Sequence, residues 1–245
     1  MNFVLENNVT VTNWSKEPLL KLGSLQKRKL RQAVINARQM AQDACILIRT
    51  YQYKQIVKSV DRQMAKDYAP KQRGVKNALT EYFDLDMKDP GDKLRVAAIN
   101  DKYVLIRDGL TGPFDIVVGH VHDWDDIKDG VGDAFRSLAQ GKLGEAVSDI
   151  SAIRTGTRGW IDPSASHALH RIHLNVNVID NDPPGSIART IVHEASHKWA
   201  HTKDVAYLKT GIKDHSKAYD NNADSFAYSA RMMWMGHRGV DGTFY

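Results

Sequence analysis

The chain carries one cysteine, Cys45, in 245 residues. That excludes an internal disulfide framework and a cysteine-rich zinc module, and leaves the thiol as a small buried apolar group on a helix. No apolar run approaches the roughly 18 residues a membrane span needs. Glutamate is sparse: Glu6, Glu17, Glu81, Glu145 and Glu194 are all there are, and none follows Glu194. The segment MNFVLENNVTVTNWSKE has no basic stretch followed by an apolar one, so no secretory signal is expected. That is compatible with export by a signal-independent route, as an effector or toxin would use, with the cytoplasm, or with a leader that this sequence does not include.

What is present is ordinary for a globular chain: 42% hydrophobic and 26% charged residues, enough in 27.5 kDa for a real core. The net charge of +5 mildly favours acidic partners without pointing to nucleic acid. A helix is expected from Ser24 to about Tyr53, where Leu30, Val34, Met40, Ala41 and Ile48 recur near a helical period. Its basic cluster, Lys27, Arg28, Lys29 and Arg31, reads as a solvated face. A second helix is expected from about Gln55 to Tyr68, ending before Pro70. DPGD at 89–92 and DGLTGPFD at 108–115 read as turns, with KYVLIR and DIVVGHV as short strands. HDWDDIKDGVGD (122–133) lacks the pattern of a calcium loop and reads as a surface turn or helix start. RIHLNVNVID (171–180) alternates Ile172, Leu174, Val176 and Val178 against polar residues, which predicts a strand. After NDPPGS, with Ser186 as a cap, a helix with Ile187, Ile191, Ala195 and Trp199 on one stripe is expected.

That helix carries the chemistry. In IVHEASHKWAHTKD, His193 and His197 lie four residues apart, so both imidazoles can converge on one ion. Glu194 reaches the same cleft, where it can take a proton from zinc-bound water and pass it to a leaving amine. Two histidines and a water leave one protein ligand to find. With no later glutamate, the candidates are His201, Asp204, Asp214, His215, Asp220, Asp224, His237 and Asp241.

TIVHEASH, followed by HTKDVAYL and NNADSFAY, resembles the aspzincin metallopeptidases, the deuterolysin and peptidyl-lysine endopeptidase group, whose signature adds Gly-Thr-x-Asp-x-x-Tyr-Gly to His-Glu-x-x-His. Thr202, Asp204 and Tyr207 match that second motif, while His201 and Leu208 replace its glycines. The resemblance covers about Ile172 to Tyr228. It implies that Asp204 is the third ligand of one zinc per chain and that Tyr207 donates to the oxyanion. It also implies that Asp224, with Tyr228 on the same C-terminal helix, lines the substrate pocket. Ala227 stands where the lysine-specific branch has an acid, which weakens a lysine preference, and Asp224 can equally brace a histidine. Geometry separately disfavours His201. On a continued helix it would lie about 12 Å along the axis from His193, too far to share an ion.

His173 is read as lining the substrate cleft, where a peptide could add to an edge strand. His167, His170 and His173 are not read as a second metal site. The expected fold is α+β and zincin-like, helix-rich, with a small antiparallel or mixed sheet beside the active-site helix. Residues 1–100 would form a mainly helical region and 101–245 the catalytic region, either as two parts or as one continuous domain. The expected function is a zinc-dependent endopeptidase acting on protein or peptide substrates, with no membrane partner and none expected from nucleic acid. The rivals are a non-catalytic zinc-stabilised binding module and a nucleic-acid-associated basic protein using the Lys27–Arg31 helix.

Overall fold

Val9-Thr10-Val11-Thr12 alternates apolar and polar residues in β2 (Val9–Asn13), which pairs antiparallel with β1 (Asn2–Glu6), and Asn8 before it takes a left-handed φ of 67°. Leu5, Val9 and Val11 are buried, while Val4 on the opposite face is exposed. No strand is expected here from the sequence analysis, although Val-Thr-Val-Thr alternation is a strand signal. A computed structural model describes residues 2–6, 8–13, 22–54, 74–86, 88–119, 159–161, 171–206 and 219–236.

The described residues are α+β and helix-rich. The helices are α1 (Ser24–Lys54), α2 (74–83), α3 (Pro90–Thr111), α4 (Val176–Asn181), α5 (Pro184–Ala200) and α6 (Ala223–Met235). With β3 (Phe114–Gly119), β4 (Gly159–Ile161) and β5 (Arg171–Asn175), the strands form one five-stranded mixed sheet in the order β1-β2-β3-β5-β4. The β2–β3 and β3–β5 pairs are parallel and the outer two are antiparallel. No helix among the described residues is long and apolar enough to cross a membrane.

Two compact units divide the chain, one of residues 1–32 and 113–187, the other of 33–112 and 188–245. Position 100, where the sequence reading divides the chain, falls inside α3. In the first unit three of the four basic residues at the start of α1 have partners. Lys29 donates to the carbonyls of Ile179 and Asp180, Arg31 to that of Leu5, and Lys27 lies over the Phe3 ring.

In the second unit the later turns of α1 bury Val34, Ala37, Met40, Ala41, Ala44, Leu47 and Ile48, and α2, α3 and α6 add Phe83, Ile99, Tyr103 and Phe226. Phe226 takes Phe83 and Tyr103 edge-on, and the Tyr103 hydroxyl donates to its carbonyl. Cys45 is buried on α1 as expected, and burial pushes its thiol up to about 11. Gly109 on α3 is a close approach: a Cβ there would lie 2.1 Å from the Trp199 ring.

Four expectations need correction. KYVLIR is not a strand but the middle of α3, because Val96, Ile99, Tyr103, Ile106 and Leu110 make a helical stripe longer than the local β-like run. The DPGD turn is the start of that helix, with Asp89 as cap accepting from the Gly91 amide and Pro90 in the first turn. The strand expected over 171–180 stops at Asn175, whose side chain accepts from the Asn177 amide and opens α4. Ser186 does not cap α5; it sits inside the first turn, its hydroxyl donating to Asp182. The expected Gln55–Tyr68 helix and the 122–133 segment lie outside the described residues.

Candidate metal centre

Alanine and isoleucine on one side of α5 seat it in the core: Ile187, Ala188, Ile191, Val192 and Ala195 are fully buried, and Trp199 continues the stripe. The neighbouring face carries His193 and His197. Their Nε2 atoms lie 3.2 Å apart, and each lies 3.3 Å from the same oxygen, Asp204 Oδ1. Three donors held at about 2.0–2.1 Å from one tetrahedral ion stand about 3.3 Å from one another. The triangle therefore has the edge length that a zinc ion requires, and these three residues are the metal-capable group among the described residues. Glu194 is not part of it. Its carboxylate is 3% exposed, with Oε1 4.0 Å from His193 Nε2.

The other ring nitrogens are committed. His193 Nδ1 lies 2.9 Å from Asp224 Oδ1, and His197 Nδ1 lies 2.9 Å from the Thr202 carbonyl. In the neutral imidazole, with Nδ1 donating to an oxygen, the lone pair is on Nε2, the atom that faces the triangle. Asp224 opens α6, and among its two expected roles the geometry places it as the brace of His193.

Asp204 reaches the histidines because α5 stops short of it. His201 follows the last helical residue with φ 53°, a left-handed conformation that glycine adopts most readily. Thr202 then donates its amide to the Ser196 carbonyl and shares a hydrogen bond with the Ser196 hydroxyl. The returning strand is clamped by Asn222, which is fully buried. Its side-chain oxygen accepts from the amides of Val205 and Ala206, and its main chain flanks a bridge to Lys203. Asn222 is the N-cap of α6 but makes no side-chain cap bond, because that oxygen is used on the loop. The sequence alone gives Asn222 no such role, since an asparagine just before a helix reads as an ordinary cap.

The charges follow from this packing. Burial works against a protonated His193, but Asp204 and Asp224 outweigh it and raise its pKa to about 10. Burial likewise opposes His197, and Asp204 raises it. Burial would raise Asp204, yet the two histidines hold it far below the usual carboxylate range. Glu194 goes the other way: burial pushes it up to about 7, against the pull of the histidines. A carboxyl titrating near neutrality suits a group that must accept a proton and give it back.

Of the other expected site residues, Tyr207 lies outside the described residues, as do the ligand candidates Asp214, His215, His237 and Asp241. His201 is exposed and outside the triangle, and Asp220 is bound by Arg95. Tyr228 is half-buried on α6, stacked on Tyr82 at 5.7 Å. His173 belongs to the first unit, 1% exposed on β5. The edge strand expected there is an interior one, since β5 is paired on both sides and His173 stands in register with Val117 and Trp160. No protein-family model, no curated protein and no solved structure matches this chain.

Proposed function

We propose that this chain is a zinc-dependent endopeptidase of the zincin-like, aspzincin type, with His193, His197 and Asp204 as ligands and Glu194 as general base. The observation that carries the reading is the triangle of donor atoms at 3.2–3.3 Å beside a buried glutamate. A structural zinc is closed by four protein ligands and has no use for a neighbouring base, whereas a three-ligand set leaves a position for water and substrate.

Zinc bound there would lower the pKa of water and polarise the scissile carbonyl. The chain's own groups do the rest. Asp224 and the Thr202 carbonyl hold the two imidazoles in one tautomer and orientation. The Asp204 carboxylate offsets part of a divalent charge, which neutral imidazoles cannot do. Glu194 accepts the proton of the attacking water at its carboxylate and returns it to the departing amine. Tyr207, on the resemblance, donates its hydroxyl to the oxyanion.

The test is digestion of casein and a peptide library by zinc-loaded protein, with and without chelator, read by mass spectrometry of new termini alongside metal analysis. About one zinc per chain and chelator-sensitive cleavage are expected. Glu194→Ala is expected to keep the zinc and lose the cleavage. Unchanged cleavage in that variant would sink the mechanism, and loss of metal with activity would mean that ligand and base are misassigned.

A further inference from the structure

One helical turn before His193, on the same face of α5, stands Arg189. The two positions are about 6 Å apart along the axis. The Arg189 guanidinium carbon lies 4.3 Å above the Tyr228 ring centre, and that ring is in turn stacked on Tyr82. Tyr228 follows Asp224 by one turn of α6. The two helices are thus joined by two successive rungs, His193 on Asp224 and Arg189 on Tyr228.

The rungs differ in one respect. On the first, the charge of the histidine is met by a carboxylate. On the second, among the described residues, the cation is met by an aromatic face. Arg189 Nε is buried without a hydrogen-bond partner, and no carboxylate among the described residues pairs with the guanidinium. A buried donor left without an acceptor is costly, and a guanidinium laid on a ring keeps its planar fork oriented for a carboxylate. The nearby acids are already used, Asp224 on His193 and Asp220 on Arg95.

We propose that Arg189 forms an anion-binding subsite beside the metal centre, one that selects peptides with an aspartate or glutamate side chain close to the scissile bond. The inference rests on the endopeptidase reading. An extended peptide advances about 3.3 Å per residue, so a side chain one or two residues from the reacting carbonyl spans the distance of one helical turn. A carboxylate meeting the two Nη atoms, which unlike Nε are not buried orphans, would supply the counter-charge that no described carboxylate gives the guanidinium. The preference is opposite in sign to the lysine selection of the family branch that the sequence resembles.

Two arms test it. In the first, kcat/KM is measured for matched peptides with Glu, Gln or Lys at the position the library identifies. The wild type is expected to favour Glu over Gln by about 10-fold or more. Arg189→Gln is expected to bring that ratio to about 1, Arg189→Lys to keep part of it, and Arg189→Glu to turn the preference toward Lys. In the second, calorimetry compares binding of the Glu and Gln peptides to zinc-loaded Glu194→Gln protein and to the same protein carrying Arg189→Gln. Tighter binding of the Glu peptide, lost in the double variant, is expected. Cleavage with no charge preference, or ratios that Arg189 variants do not move, would overturn the subsite while leaving the endopeptidase reading intact. If no peptide is cleaved, that reading fails, and equal affinity for the two peptides in the binding arm overturns the subsite independently.

Discussion

Asp204 and Asp220 are both held by cationic side chains in the second unit, and the two arrangements end differently. Asp220 meets Arg95 with both oxygens, at 2.6 and 2.8 Å, while Arg95 also donates to Asp92 and to the Phe83 carbonyl. Lys102 closes the main chain there by donating to the Asp220 carbonyl. Every donor has an acceptor, so the cluster is complete as it stands. Asp204 presents one oxygen to two histidine nitrogens that also face each other, and its side chain is 43% exposed. Those three atoms are all lone-pair donors once the histidines are neutral, and only a shared cation satisfies them together. A finished ion pair fastens helices; an unfinished one at the surface marks a place for something else to bind.

Exchanging the two aspartates is the strongest way to break this comparison. Asp204→Ala is expected to lower zinc affinity by more than about 100-fold, beyond what loss of an outer partner costs, and to remove cleavage with it. Asp220→Ala should retain zinc and cleavage and lose only about 1 kcal/mol of stability, since Arg95 and Asp220 are each about a third exposed. Metal analysis and denaturant melts read both. Zinc retained in Asp204→Ala would mean that the unfinished cluster is no ligand set.

A smaller effect is expected one layer out. Asn222→Ala strips a buried acceptor from the Val205 and Ala206 amides, and Asp224→Asn weakens the hold on His193. Each should cost about 10- to 100-fold in zinc affinity, measured by competition with a chelator. Affinity unchanged in both would show that the triangle is held without them.

Acidity sharpens the contrast further. Glu194 is raised from 4.5 to about 7 and His193 from 6.5 to about 10, so the ion-free folded chain binds more protons than the unfolded one. Their contribution to stability is therefore present at low pH and lost as pH rises, between about 4.5 and 7 for Glu194 and between about 6.5 and 10 for His193. Asp204 has the opposite sign, but its loss falls below pH 4, outside that window. Zinc competes with the protons on the histidines, so its stabilisation grows as pH rises. Melting temperature should fall from pH 5 to 9 in chelator and rise from pH 5 to 8 in excess zinc. Parallel curves would refute the coupling.

The smallest expected change is at His201. Its left-handed φ favours glycine, but glycine adds freedom to the unfolded chain. His201→Gly should leave zinc and cleavage in place and shift stability by no more than about 1 kcal/mol. A larger loss would mean that the imidazole itself holds the turn.

How far the sequence could be read depended on how local each signal was. The α1 stripe and the His193–His197 pair are set by spacing within one helix, and both are visible in the chain. Asp204 was reached only through a resemblance, because its place depends on a turn at His201 that no periodicity encodes. The Asn222 clamp was missed because a cap asparagine and a loop-holding asparagine are the same letter; what separates them is a contact 17 positions back along the chain. KYVLIR and the far half of RIHLNVNVID failed for a related reason. Short β-branched runs are compatible with either element, and the helix start at Asp89 and the cap at Asn175 decided the matter.

The Asn222 clamp also has a signature in time. Val205 and Ala206 lie in irregular chain at the surface, where amide protons ordinarily exchange with solvent quickly. Here both amides are donated to a side chain that is wholly buried at the head of α6. Their protons can leave only when α6 lets go of the loop, so they should exchange at the rate of that helix and not of their neighbours. Two slow amides in a loop would thus report how often Asp204 is released.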